Sequence, residues 1–462
     1  MRIMQHLWSS LLRTEIRKII PSHLRLRAPA YFLALAILML LLAAAGTAFA
    51  GSATWNLNPT SGEWNTAANW TPPTIPNGPE DTATFGISNG TFIYFEITGF
   101  EVNGIVFNAG ASAFTFDFYN TSFTHLFTVS GVGITNNSGI TQNFALVDGG
   151  DFVAITFKNS ATAGDLTVFT TQDSLTSVQF QDASTAGNAT LVANSGFFDG
   201  GLILFFGDST GGTARVEVFG AGSLDISAHN APGVTVGSIE GDGLVFLGAN
   251  NLTVGSNNLS TIFSGLIQNA PGSLTKIGTG TLVLTNPNSY TGGTTIHGGR
   301  LWVNNRVGTG SGPVMVNAGT LGGTGSIAGA VTVGTGSGIR ARLAPARLRG
   351  QPGITLTIQS TLTLKSDATY EVGLNSVHAV ADKVVAAGVT IDSGAHFSVL
   401  GSGQSVLTPG TVFTVIDNTS GTPIAGTFSN LGDEAIITAG GANFQASYEG
   451  GDGNDLTLTV IP

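Results

Sequence analysis

From Phe85 to Phe206 phenylalanines are dense, and many alternate with polar residues, as Phe114, Phe116 and Phe118 do with Thr115 and Asp117. A period of two puts such rings on one face of a strand and the polar residues on the other. If strands stack in register about 4.8 Å apart, rings in successive turns form ladders inside a coil. A ligand-binding aromatic strip is the alternative, and a core is the stronger expectation.

The alternation comes in units. Ile155–Asp173, Val178–Ser195 and Leu204–Gly222 share the turn signatures Ala161-Thr162-Ala163-Gly164, Ser184-Thr185-Ala186-Gly187 and Ser209-Thr210-Gly211-Gly212, at offsets of 23 and 25 residues. Each unit has a strand ending in Phe157, Phe180 or Phe206, a small-residue turn and a second strand. That is one coil of a solenoid; a propeller blade needs about 40 residues. Asn pairs such as Asn136-Asn137, Asn250-Asn251, Asn257-Asn258 and Asn304-Asn305 suit left-handed corners.

Residues 272–305 carry the most distinctive pattern. Two alternating runs, Thr281–Thr285 and Arg300–Val303, flank a loop, Asn286–Gly293, rich in Asn, Pro, Ser, Thr, Tyr and Gly. Alternation predicts strands and the loop a turn. Gly278, Gly280, Gly292, Gly293, Gly298 and Gly299 allow tight corners. Three blocks, Leu274-Thr275-Lys276-Ile277-Gly278-Thr279-Gly280-Thr281-Leu282, Tyr290-Thr291-Gly292-Gly293-Thr294-Thr295-Ile296 and Gly298-Gly299-Arg300-Leu301, resemble the autotransporter-associated β-strand repeat of bacterial cell-surface passenger proteins. The resemblance covers one repeat. It implies an all-β, right-handed parallel β-helix (solenoid) with an N-terminal cap and a C-terminal β cap region, and it names no ligand. At about 24 residues per coil, roughly twelve to sixteen coils would make a rod of some 60–75 Å.

The expected organisation is a signal peptide at 1–50, a Trp/Pro-rich N-terminal cap with the first coils at 51–110, the solenoid at 111–338, a basic connector at 339–353 and C-terminal coils with a cap at 354–462. In the leader, Arg13, Arg17, Lys18, Arg25 and Arg27 precede the apolar run Ala30–Ala45, and Ala48-Phe49-Ala50 reads as a cleavage site. A run from Ala30 to Ala50 also spans a bilayer, so an uncleaved anchor is the alternative, and the only membrane contact foreseen. Trp55, Trp64 and Trp70, followed by Pro72, Pro73, Pro76 and Pro79, suit a flap over the first rung. Stacking of those indoles on sugars is the second reading. A complete passenger would continue into a membrane barrel of strands about ten residues long, and this sequence is expected to be passenger-like without its own translocator.

Composition narrows the function. Only 10% of residues are charged and 65 of 462 are Gly, which fits stacked strands. Six of 17 basic and one of 28 acidic residues lie in the leader, leaving 11 and 27. A net charge of −16 makes nucleic acid an unsuitable partner. There is no Cys, hence no disulfide and no thiolate chemistry.

Candidate chemistry is sparse. Gly450-Gly451-Asp452-Gly453-Asn454-Asp455 starts like a calcium-binding nonapeptide, yet Thr457 stands where a large apolar residue belongs. One turn cannot supply six to eight oxygens. Asp148, Asp151, Asp165, Asp182, Asp199 and Asp208 with Lys158 and Arg215 are the groups a polysaccharide lyase or hydrolase would use. Scattered turn carboxylates are the plainer reading. His125, His229, His297, His378 and His396 lack metal-ligand spacing. Arg340, Arg342, Arg347 and Arg349 suit an anionic polymer or a solvated loop. No catalytic, cofactor-binding or metal residue is assigned. The expectation is an exported, non-enzymatic protein, extracellular, cell-surface or periplasmic, that contacts surface glycans or other cell-surface proteins through many weak contacts.

Overall fold

Alternating short strands with one apolar side can bury that side only by stacking turn upon turn. In the computed structural model the chain does this as a parallel β-solenoid of about 13 turns. Residues 51–96, 99–118, 125–147, 152–197, 199–338, 341–346, 353–402 and 407–462 are described. The leader lies outside them, as do Arg340, Arg347 and Arg349 of the basic connector.

Four sheets form the walls. A leading face of 11 strands runs from Ala53–Trp55 to Leu266–Gln268, and a long face of 15 runs from Phe92–Tyr94 to His396–Ser402. A side face of eight begins at Gly233–Val236 and ends at Val389–Ile391, and a trailing face of seven begins at Ser326–Ile327. Before Gly233 the third side is a corner of small residues joined by single parallel bridges, Gly133 to Thr162, Thr162 to Thr185 and Thr185 to Thr210. Those threonines are the turn signatures of the 23- and 25-residue units.

Inward side chains form columns. On the long face one column passes through Phe116, Phe144, Phe169, Leu191, Val216 and Ile239. Its rings stack at 4.6 Å and 4.7 Å, tilted by 8° and 15°. On the leading face Phe157, Phe180 and Phe205 stack at 5.1 Å and 4.8 Å. The register corrects the sequence reading by one residue: Phe205 pairs with Phe180, and a one-residue slip turns Phe206 to the opposite face. Not every phenylalanine of the region points inward either; Phe92 is on the outward side of the strand at the edge of the long face, and Phe197 is exposed at a turn.

Outward columns explain the scarcity of charge. Along the side face the outward residues in register are Thr235, Thr253, Thr275, Thr295, Met315, Thr332, Thr363 and Thr390. Thr suits a half-solvated pleated surface, its branched Cβ packing on the rung below while the hydroxyl faces water.

Both ends of the stack are covered. Trp64 and Trp70 are buried and cross edge to face at 4.8 Å; their indole N–H groups donate to the Pro76 and Trp64 carbonyls. Trp55 is buried as well, so none of these three indoles offers a face to a sugar. At the other end Val412–Asn418, Asp455–Ile461, Ala442–Gly450 and Ile436–Ala439 form an antiparallel ribbon rather than further coils. Tyr370, fully buried, ties it to the last rungs by donating to the Val415 carbonyl at 2.6 Å.

Replacing Phe180 with Ala removes the middle ring of its stack and is expected to destabilise the solenoid by about 3–5 kcal/mol, read as a fall in the urea midpoint. An unchanged midpoint would mean that the ring column is not part of the core.

Candidate functional site

The repeat at 274–303 lies where one wall ends and another has yet to begin. The leading face stops at Leu266–Gln268 and the trailing face starts at Ser326–Ile327, so over the intervening turns the side between these two faces is made by loops. Asn288, buried in the Asn286–Gly293 loop, takes over the work of a strand: its Oδ1 accepts from the Ile267 N–H at 2.8 Å and its Nδ2 donates to the Gly308 carbonyl at 2.6 Å. Tyr290 fills the space beside it, fully buried, its hydroxyl 2.6 Å from Thr294 Oγ1. Burial pushes its phenol well above the usual value.

Lys276 departs furthest from the pattern. It occupies an inward column whose other members are Val236, Val254, Ile296, Val316, Val333, Leu364 and Ile391, and it is 1% exposed. Its ammonium donates to the Ile277 carbonyl and sits where a Cβ on Gly299 would come within 2.9 Å. Burial lowers its pKa from 10.5 to about 8.

Among the described residues the sequence candidates for catalysis do not converge. Asp148 and Asp151 lie outside the described residues. Asn159, Asp182 and Gly207 share a left-handed corner in three successive turns, with φ of 53°, 56° and 61°. There Asp182 Oδ2 accepts from the Asn159 N–H at 3.0 Å. Asp208, one position further on, accepts from Asn230 Nδ2 at 2.9 Å. Asp199 is at another corner, its Oδ1 3.0 Å from the Gly200 N–H, and Asp165 opens a long-face strand. Arg215 is paired with Glu217 at 3.0 Å and with Glu240 in the next turn. Lys158 lies beside Asn159 in the chain.

Other candidates are absorbed by the fold. His125 is buried; both ring nitrogens of His229 face carbonyl oxygens, those of Asn230 and Ser209. His297, His378 and His396 lie in different turns. Among the described residues no group of three or more His, Asp or Glu side chains could hold a metal ion. The Gly450–Asp455 stretch is the turn of the closing hairpin, and Asp455 Oδ1 accepts from the Asn418 N–H at 2.9 Å. Arg342 pairs with Glu371 at 3.0 Å. The feature missed from sequence is a corner bearing Phe197 and Phe219, 88% and 38% exposed. Its signal is the break in alternation at Ser195-Gly196-Phe197.

The passenger-associated-transport-repeat family model matches residues 274–303, and together with the parallel solenoid this match fits an autotransporter passenger-like repeat protein. Over 94 residues it is 42% identical to the adhesin BmaC autotransporter of Brucella suis biovar 1 (strain 1330). The shared stretch is 20% of this chain and 3% of that protein. No helix among the described residues is long and apolar enough to cross a membrane.

Lys276 makes stability depend on pH. Below about pH 8 both folded and unfolded chains carry the ammonium, and burying it costs about 3 kcal/mol. Between about 8 and 10.5 the unfolded chain keeps a proton that the folded chain has lost, so stability rises with pH. The urea midpoint is therefore expected to increase from pH 7.5 to 9.5 in the native protein. In Lys276→Met it should start higher and stay flat. Parallel slopes in the two proteins would remove Lys276 as the cause.

Proposed function

We propose that the protein is an exported, non-enzymatic β-solenoid whose exterior makes adhesive contacts with a matrix, surface glycans or other cell-surface proteins. The observation that carries this reading is a passenger repeat built into a continuous solenoid in which, among the described residues, the candidate carboxylates Asp182, Asp199 and Asp208 serve corners. The relative's name, adhesin, points the same way. Solenoids offer extended surfaces on which weak contacts at successive turns add up, so affinity does not require a deep pocket. Export to the cell surface or the extracellular space goes with the passenger likeness.

A polysaccharide lyase or hydrolase on the same scaffold is the competing outcome, because a fold does not dictate its chemistry. The purified chain is expected to adhere to matrix- or glycan-coated wells and to release no reducing ends or unsaturated sugars from acidic glycans. Turnover that disappears in Asp199→Ala or Asp208→Ala would overturn this reading in favour of the enzyme. On intact cells, external protease is expected to digest the protein; protection until the outer membrane is opened would place it in the periplasm instead.

A further inference from the structure

The side face differs from the other three walls. Its eight strands, from Gly233–Val236 to Val389–Ile391, pair without a register shift, whereas each of the other sheets carries at least one. Lys276 is the only charged residue in those eight strands, and it points inward. The other walls carry charge on their outer sides, as Glu101 does on the leading face, Glu217 on the long face and the Lys383–Asp417 pair on the trailing face.

The outward rank of this face is continuous by register, turn after turn from Thr235 to Thr390. Each member is flanked in its own strand by buried residues and is itself reached by solvent. At about 4.8 Å per turn the rank extends for about 34 Å. Met315 is its one exception to threonine, 38% exposed and fifth of the eight, beside the middle. It is also the only Met beyond residue 50. A flexible, polarizable side chain of this kind is enriched where proteins meet.

A rank this regular gains most from a partner of the same spacing, because a contact made at one turn is then repeated at the next. A second copy of the chain has that spacing. Charge selects the same partner and the same wall: with 27 acidic and 11 basic residues beyond residue 50, two copies repel one another, and the side face lets them meet without apposing like charges. Aligned sheets pack about 10 Å apart, which suits threonines better than two methionines set head to head. A two-fold axis between the turns of Thr295 and Met315 avoids that clash, since each Met315 then lies against the partner's Thr295. We propose that the side face is a docking surface for a second copy of this chain, the two solenoids lying antiparallel about that axis. Three-residue strands make the contact only about 10 Å wide, well short of the roughly 800 Å² per partner of a stable complex. Free chains therefore pair weakly, with a Kd on the order of 100 µM, and arrays displayed on facing surfaces pair strongly by adding such contacts.

The proposal names a like copy as a partner within the adhesive reading above and rests on that reading, yet the two fail separately. Sedimentation equilibrium of the full chain, at concentrations spanning the expected Kd, should show a reversible monomer–dimer equilibrium. Thr275 and Thr332, in the third and sixth turns of the face, oppose each other across the axis. The Thr275→Lys, Thr332→Lys variant should therefore dimerise about tenfold or more weakly, with an unchanged circular dichroism spectrum and urea midpoint. The same two charges on the long face, in Thr170→Lys, Thr190→Lys, should leave the dimer intact. With a short bis-maleimide, Met315→Cys should give covalent dimers and Thr235→Cys, held at opposite ends of the two copies, should not. A chain that stays monomeric, a dimer indifferent to the side-face lysines, or cross-linking through Thr235→Cys would each overturn the proposal. If the chain stays monomeric but adheres to matrix- or glycan-coated wells, the docking surface fails and the adhesive reading stands. If it dimerises, yet beads coated with it neither clump nor adhere to the wells, the adhesive reading fails and the docking surface stands.

Discussion

Everything in this molecule depends on one constraint: each turn must lie on the one below without slipping by a residue. Because side chains alternate with a period of two, a single slip would carry a whole apolar column to the outside. Register is fixed by pairing size and shape along each column, Phe on Phe in the early turns and Leu, Val and Ile on one another later. Small residues at the corners permit the close backbone approach that tight coiling needs; at Gly133, with φ of 92°, a Cβ would lie 2.2 Å from the Thr162 backbone. Packing and backbone hydrogen bonds suffice, which is why the sequence carries no Cys and few charges. Most of the ion pairs among the described residues, such as Arg342 with Glu371 and Lys383 with Asp417, join residues of different turns.

The passenger repeat is where this regularity is interrupted and restored. Between the end of the leading face and the start of the trailing face, that side of the solenoid has no continuous ladder. The repeat provides a side-chain substitute in Asn288, a filler in Tyr290 and a polar partner for it in Thr294. Lys276 lies in the same segment as a charge inside an aliphatic column. Its long stem packs like its neighbours while its amine reaches a carbonyl at the glycine corner. The repeat thus joins two differently walled stretches of one solenoid.

Much of the architecture was legible in the sequence because its signals were local: period-two alternation, the 23- and 25-residue turn signatures, and the loop chemistry of residues 286–293. What escaped was non-local. Phe205 is the exception, since the 25-residue offset of the turn signatures already leads from Phe180 to Phe205, and it was the adjacent Phe206 that drew the strand end one residue too far. The antiparallel closing ribbon reads locally like further coils, since alternation does not report strand direction. Asn288 looked like an ordinary turn residue, because the N–H and carbonyl groups it satisfies are about twenty residues away on either side. Phe197 was grouped with the core rings on composition, although the glycine before it already marked a corner.

Recognition by such a molecule must be spread over its exterior, and the exterior is only as well defined as the stacking beneath it. The absence of Cys allows the register to be tested directly. Thr253 and Thr275 are paired in adjacent turns of the side face with side chains outward, at a spacing of about 4.8 Å that a disulfide can bridge. Cysteines at these two positions are predicted to cross-link fully on mild oxidation of the folded protein, and cysteines at Thr235 and Thr275, two turns apart, to remain reduced. Cross-linking of the distant pair, or none in the adjacent pair, would contradict the in-register column on which the whole account rests.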